Sequence, residues 1–251
     1  MNDTTQDRVL DGRVTLRQPA RGYRAGLDAA LLAAACDAGA GQRVIEAGCG
    51  AGGALLAAAA RRPGARFVGV ERDPAALALA LENIALNGMG DRVEAVAGDV
   101  ALRFSGLGLP VFDSALANPP FFDDAGAIRG PADERRGAWM ADDGLEAWIA
   151  FLSKAVREGG SITLIHRADR LADILALLAP KAGSAQVRPI QPFIDQPAKR
   201  VLVRAIKTGK APMRLLPPLI LHDRPPEREG GGKHTAETEA IMRGEAGLEW
   251  V

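Results

Sequence analysis

From residue 42 onward the chain repeats one pattern, and that pattern leaves few folds open. A short apolar run meets a glycine or polar turn, and an alanine- and leucine-rich stretch of helical length follows. Arg43–Ala47 reads as a buried strand, followed by a glycine turn and a helix to residue 62. Arg66–Glu71 is a second strand; Asp73 then suits an N-cap, Pro74 a first helical residue and Gly88 the helix end. Residues 92–97 form a third strand that ends at Gly98-Asp99, and residues 111–117 a fourth. Residues 144–156 are an amphipathic helix ended by Gly159-Gly160, and 161–165 a fifth strand. Asp169 is placed to cap a helix that Pro180 stops. Strands apolar along their whole length are buried on both faces, so the alternation predicts an α/β fold, a mostly parallel sheet covered by helices on both sides. Residues 185–194 and 201–207 are close enough in sequence to form an antiparallel hairpin at one edge.

The flanks are shorter and more irregular. Residues 1–7 are expected to fray, and 8–17 to form two short strands around Asp11-Gly12, a hairpin dipeptide. Residues 19–26 read as a loop and 28–37 as a helix. Residues 212–234 hold several prolines and the run Gly230-Gly231-Gly232, and are expected to be a loop before a last helix over 236–243. The whole of 1–251 is expected to be one domain: an N-terminal hairpin and lid helix (1–41), a core (42–210) and a tail (211–251).

Composition removes several classes of function. The chain of 251 residues has 31 basic and 31 acidic side chains, so no global field draws it to nucleic acid or membrane. Its two cysteines, Cys36 and Cys49, make no disulfide framework and have no metal-ligand spacing to a histidine. The N-terminus is polar and without a signal-peptide core. The longest apolar stretches, 29–36 and 54–60, are too short to span a bilayer. The expectation is a cytoplasmic protein with no metal site.

Three acids and a set of glycines fall where strands end. Glu46-Ala-Gly48-Cys-Gly50-Ala-Gly52-Gly53 lies between a strand and a helix, where glycines let the backbone turn tightly against a ligand. Gly48, Gly50 and Gly53 satisfy the dinucleotide pattern G-x-G-x-x-G; Gly48, Gly50 and Gly52 equally satisfy G-x-G-x-G, the pattern of methyl-donor enzymes. Glu71, at the end of the second strand, is placed to accept hydrogen bonds from both ribose hydroxyls. Glu46 sits in the strand before the glycines. A buried carboxylate there suits an ammonium or sulfonium and is a poor neighbour for a pyrophosphate. Asp99, after the third strand, is placed to accept from an adenine amino group.

The fourth strand stops at Asn118-Pro119-Pro120-Phe121-Phe122. Two prolines cannot continue a central strand. The chain leaves the sheet stiffly, with a polar amide at the strand's carboxyl end, the edge where open α/β sheets bind ligands.

With these motifs together, the chain resembles the class I S-adenosylmethionine-dependent methyltransferases that carry an Asn-Pro-Pro-aromatic motif. The resemblance implies a seven-stranded, Rossmann-like sandwich and S-adenosylmethionine as cofactor. It places the methionine part at Glu46, Gly48, Gly50 and Gly52, the ribose at Glu71 and the adenine at Asp99, with Asn118 at the reaction centre. The Asn118 side-chain oxygen and the Pro119 carbonyl are then acceptors for the two N–H bonds of a planar amine, and Phe121 stacks on it. Related enzymes use the motif on adenine N6 or cytosine N4, on guanine N2, and on the side-chain amide of protein glutamine. Many relatives have Tyr at the position of Phe121, and Phe is frequent in the guanine-N2 enzymes of ribosomal RNA.

The segments Gly22-Tyr23-Arg24-Ala25-Gly26-Leu27-Asp28-Ala29, followed by Leu31-Leu32, then Leu164-Ile165-His166-Arg167-Ala168-Asp169-Arg170-Leu171 and Leu221-His222-Asp223 resemble the bacterial group that modifies N6 of adenosine 37 in valine tRNA. Residues 224–233 look like an insertion, and His234 stands where an aromatic is usual. The short N-terminal part differs from the helical domain of the release-factor glutamine enzymes. The expected substrate is therefore an exocyclic amino group of a base in structured RNA, adenine N6 of a tRNA, with guanine N2 of ribosomal RNA as the alternative. A nucleoside- or NAD-binding module without methyl transfer is the alternative of another class. Between Lys181 and Arg214 eight basic residues face one acid, Asp195, so a phosphate-contacting face including Lys199, Arg200 and Arg204 is expected, with Phe121 and Phe122 on the base. An ordinary solvated sheet edge explains the same charges.

Overall fold

The computed structural model describes residues 4–20, 24–120, 144–224 and 233–251. Strands β3 (Arg43–Ala47), β4 (Arg66–Glu71), β5 (Val93–Ala97), β6 (Phe112–Ala117), β7 (Val156–Arg167), β8 (Ala182–Gln191) and β9 (Arg200–Lys207) form one sheet in the order β8-β9-β7-β6-β3-β4-β5. β3 to β7 run parallel, and β9 is antiparallel to both β7 and β8. This is the parallel sheet with an antiparallel edge hairpin that the sequence implied. β3 connects outward to β4 and β5 on one side, and β6 lies against β3 on the other, so the chain's direction across the sheet reverses between β3 and β6. Open α/β sheets bind ligands at that reversal.

Side chains alternate between the two faces of each buried strand. Val44, Phe67, Leu116, Ile165 and Leu202 belong to one core cluster, and Ile45, Val68, Ala115, Leu164 and Val203 to the other. The first face is covered by α1 (Leu27–Ala34), α2 (Gly53–Arg61) and α3 (Pro74–Leu86), together with α6 (Ala236–Arg243). The second is covered by α4 (Leu145–Ala155) and α5 (Leu171–Leu178). α2 is almost wholly alanine and leucine, and nearly all of it is buried, so its backbone can lie close to the sheet.

The N-terminal hairpin, β1 (Thr4–Val9) and β2 (Val14–Pro19), starts four residues earlier than expected. Residues that sequence periodicity cannot weigh hold the start of β1 in place: Gln18 Nε2 and Arg24 Nη2 donate to Asp7, and Arg24 Nη1 donates to Thr5 Oγ1. The hairpin is fixed to α3 by two asparagines one turn apart. Asn83 accepts from Arg17 N at 2.7 Å and donates to Arg17 O and Ala51 O; Asn87 accepts from Thr15 N at 2.9 Å and donates to Thr15 O. The two amides satisfy alternate backbone groups of β2 as a neighbouring strand does.

Three further expectations are corrected. No turn separates α4 from β7: the strand begins at Val156, directly after the helix, and Gly159-Gly160 lie within it. Asp169 caps no α-helix: it pairs with Arg167 inside a short 3-10 turn, and α5 starts two residues later from an Arg170 N-cap. Part of the 212–234 loop is sheet. β10 (Arg214–Leu215) and β11 (Leu219–Ile220) both pair in parallel with β8, because Leu216, Leu219 and Leu221 bury themselves against its edge. The charged segments 123–143 and 225–232 lie outside the described residues. Among the described residues no helix is long and apolar enough to cross a membrane.

Candidate active site

Two cavities open at the carboxyl ends of β3 to β6, of about 350 and 310 Å³, both within the range of small-ligand sites. Gly48, Gly50, Asp73, Ala76 and Asn118 line both, so they form one bent cleft. Glu46 lies on the first arm, beside Gln18 and Pro19 of the hairpin. Glu71, Asp99, Pro120 and Trp148 lie on the second. The sheet register explains the convergence: Ala47 is directly opposite Ala117, so the residues that follow them, Gly48 and Asn118, emerge side by side. Glu71 pairs with Ala97, two residues before Asp99.

Two positions of the turn call for glycine, both by their left-handed backbone and one by its surroundings as well. Gly48 has φ +64°, and a Cβ there would lie 2.3 Å from Trp148 Cη2. Gly50 has φ +55° and open space where a Cβ would stand, and its N–H donates to Glu71 Oε2 at 2.9 Å. Gly52 lines neither arm; it is the left-handed N-cap of α2, with φ +87°. Glu71 is doubly fixed, since Asp73 N donates to its Oε1 at 2.8 Å. Asp99 folds one oxygen back onto Ala101 N at 2.9 Å.

Glu46 is the costly member of the site. It is 3% exposed, and its Oε2 has no hydrogen-bond partner among the described residues. Burial and then the charge of Glu71 hold its carboxyl well above the usual carboxylate range, against the opposing pull of the Leu55 N–H. Removing Oε2 from water without a partner is unfavourable by about 1–3 kcal/mol. A cation in the first arm restores what burial takes away. S-adenosylmethionine fits this donor set: its ammonium and sulfonium suit a buried acid, and the second arm offers two fixed carboxylates to a nucleoside. Burial, then Glu46 and Glu71, push the neighbouring Cys49 thiol upward, so it packs as a neutral group. Among the described residues no group of three or more His, Cys, Asp or Glu is placed to hold a metal ion.

The structure thus brings together Glu46, Gly48, Gly50, Glu71, Asp99 and Asn118, with Pro119 buried beside them. Phe121 and Phe122 lie outside the described residues. The expected basic face is not contiguous. Arg200 pairs with Asp28 at 3.1 Å; Arg204 pairs with Asp37 and donates to Gln186; Arg188 donates to the Pro217 and Glu249 carbonyls. The exposed Lys181 and Lys199 stand at opposite ends of β8, about 30 Å apart at 3.3 Å per residue. Asp28 is therefore an ion-pair partner inside α1, whose N-cap is Gly26. His166 is buried in β7 beside Val201. Sequence reasoning missed Trp148 and Gln18, and it saw Asp73 as a cap alone. Asp73 does cap α3 through Ala75 N, while also lining both arms.

Residues 24–131 match the family described as the methyltransferase small domain. A tRNA1(Val) (adenine(37)-N6)-methyltransferase of Porphyromonas gingivalis is 31% identical over 198 residues, 76% of this chain and 77% of that protein. A release factor glutamine methyltransferase of Gloeobacter violaceus is 28% identical over 164 residues, 62% of this chain and 56% of that protein. Among solved structures, a protein described as a predicted O-methyltransferase from Agrobacterium tumefaciens superposes with a TM-score of 0.73 at 28% identity, covering 89% of this chain and all of that one. Together with the cleft, these likenesses identify the chain as a member of the class I S-adenosylmethionine-dependent methyltransferases.

Proposed function

We propose that this enzyme methylates an exocyclic amino group of a base in structured RNA, adenine N6 of a tRNA. The observation that carries the proposal is the position of Asn118, at the bend where the two arms of the cleft meet, followed at once by Pro119-Pro120. The relative from P. gingivalis supports the choice of nucleobase, since its named substrate is adenine 37 of a tRNA and this chain spans 77% of its length. The glutamine-modifying relative is spanned over 56% of its length.

S-adenosylmethionine supplies an electrophilic methyl group on a sulfonium. The chain supplies position. Glu46 holds the ammonium end, Glu71 accepts from the ribose hydroxyls, and Asp99 accepts from the adenine amino group. Asn118 Oδ1 and the Pro119 carbonyl accept the two N–H bonds of the acceptor amine. That draws the nitrogen lone pair out of conjugation and leaves it free for the donor methyl. It also stabilises the positive charge that develops on nitrogen, because these dipoles are fixed before the reaction. No strong base is needed in the site, since the methylated arylammonium is itself a strong acid. Proline at 119 contributes a carbonyl without a competing N–H.

The test is product identity. RNA from a strain lacking the gene, incubated with the protein and labelled donor, is digested and its nucleosides separated by mass spectrometry. N6-methyladenosine in the tRNA fraction is expected. Label in N2-methylguanosine, or in protein glutamine with none in RNA, refutes the reading.

A further inference from the structure

At the same sheet edge, on the far side of β7 and β9 from Asn118, stands a cluster of three rings and a guanidinium that the catalytic cleft does not use, with Phe193 and His222 tilted at 50° to each other. β11 continues the ladder beyond the end of β8: Leu221 N donates to Gln191 O and His222 N to Pro192 O, both at 2.9 Å. This lays the tail alongside the β8–β9 turn and brings Arg224 over Phe193, its guanidinium carbon 4.5 Å from the ring centroid. Asp195 holds that guanidinium from the side, its two oxygens 2.9 and 3.0 Å from Arg224 Nη2. His222 packs on Phe193 with centroids 5.5 Å apart, and His234 stacks on His222 at 5.1 Å and 19°. Thr235, the N-cap of α6, is tied to the same tail through the Ile220 and Leu221 carbonyls.

A guanidinium held over a ring and paired with a carboxylate is restricted in the orientations it can take. The Arg224 side chain is still 47% exposed. Next to it Ile194 is 79% exposed, and Lys199 and Lys233 are exposed cations at the same edge. Flat, cationic and partly apolar surface is what unstacked bases with flanking phosphates bind. β8 lies three strand spacings from β6, about 14 Å along the edge at roughly 4.8 Å each, which is the length of about four stacked nucleotides at roughly 3.4 Å.

We propose that Phe193, Asp195 and Arg224 form a preorganised stacking platform for an unpaired base flanking the methylated one, on the same single-stranded RNA segment. The proposal rests on the RNA reading above and goes beyond it by naming where the neighbouring nucleotide sits. Arg224 is the first residue of the 224–233 stretch, and it is carried to the ring by the tail before it, through the Leu221 and His222 N–H groups.

The probe is an unmodified valine tRNA transcript and a set of the same RNA with one abasic site at each loop nucleotide near adenine 37, bound to the full-length protein in the presence of S-adenosylhomocysteine. For the wild type, removing the base at one or two positions is expected to weaken binding about tenfold, within the usual range for one base stacked on a planar side chain. Arg224→Ala is expected to bind intact RNA about tenfold more weakly and to be indifferent to those abasic sites. Arg224→Lys, which keeps the charge and loses the plane, is expected to behave like Arg224→Ala, with S-adenosylhomocysteine affinity and melting temperature unchanged in both. Full RNA affinity in Arg224→Lys, or equal abasic penalties in wild type and variants, overturns the platform while leaving the RNA reading intact. A wild type that binds no RNA and methylates a release-factor peptide overturns both.

Discussion

Glu46→Gln should move affinity and stability in opposite directions. Glu46 is nearly fully buried, its Oε2 lacks a partner among the described residues, and Glu71 repels it. Its folded-state pKa is therefore raised above that of the unfolded chain. Below the ordinary carboxylate range, near 4.5, the group is protonated in both states and has no effect on stability. As pH rises from there toward the raised value, the unfolded chain ionises first, and the fold loses stability at about 1.4 kcal/mol per unit. Glutamine removes that loss, so the ligand-free variant should be at least as stable as wild type at pH 8. Its advantage should shrink toward pH 4.5. Cofactor binding should respond the other way. Truncating one member of a buried charge pair is unfavourable by about 2–5 kcal/mol, or at least about 30-fold in affinity. Wild-type affinity for S-adenosylhomocysteine, whose ammonium is the same, should rise with pH over the same window, with proton release on binding; the variant should show neither. Calorimetry in buffers of different ionisation enthalpy, with thermal melts from pH 4.5 to 8, measures all of it. A variant that binds within threefold of wild type, or that loses more than about 2 kcal/mol of stability at pH 8, refutes the assignment of Glu46 as the ammonium partner.

Other outcomes follow from the same geometry. Gly48→Ala combines φ +64° with a 2.3 Å clash against Trp148 and should cost about 2–4 kcal/mol of stability, read from denaturant melts. Asn83→Ala removes one acceptor and two donor contacts that join β2, the glycine turn and α3. It should cost about 2–3 kcal/mol and raise hydrogen exchange at Arg17 first. Asp99→Ala should weaken S-adenosylhomocysteine about tenfold while leaving the fold unchanged, and an unaltered dissociation constant would refute the adenine role.

The sheet and the acids at its edge were legible because each depends on local pattern. Buried strands announce themselves as apolar runs, and a residue at a strand's end is carried to the sheet's carboxyl edge whatever else the fold does. Arg43–Ala47 and Arg66–Glu71 were bounded to the residue for this reason. What was missed depends on partners distant in sequence. Trp148 looks like any core aromatic of an amphipathic helix until Gly48, a hundred residues earlier, is laid beneath it. The charges between Lys181 and Arg214 looked like one face, but strand direction sends Lys181 and Lys199 to opposite ends and Asp28 and Asp37 neutralise Arg200 and Arg204. The tail looked like loop because β10 and β11 have two residues each, too few for any periodicity to show.

In the proposed mechanism Asn118 acts on the acceptor amine and the acids around it hold the cofactor. The most direct test is Asn118→Ala, with S-adenosylhomocysteine affinity and single-turnover methyl transfer to unmodified tRNA measured on the same preparation. The transfer rate is expected to fall at least about 100-fold, the scale of losing one preorganised polar contact to the reacting atoms, with cofactor affinity within about threefold of wild type. Equal losses in both, or a transfer rate that survives, would contradict this mechanism.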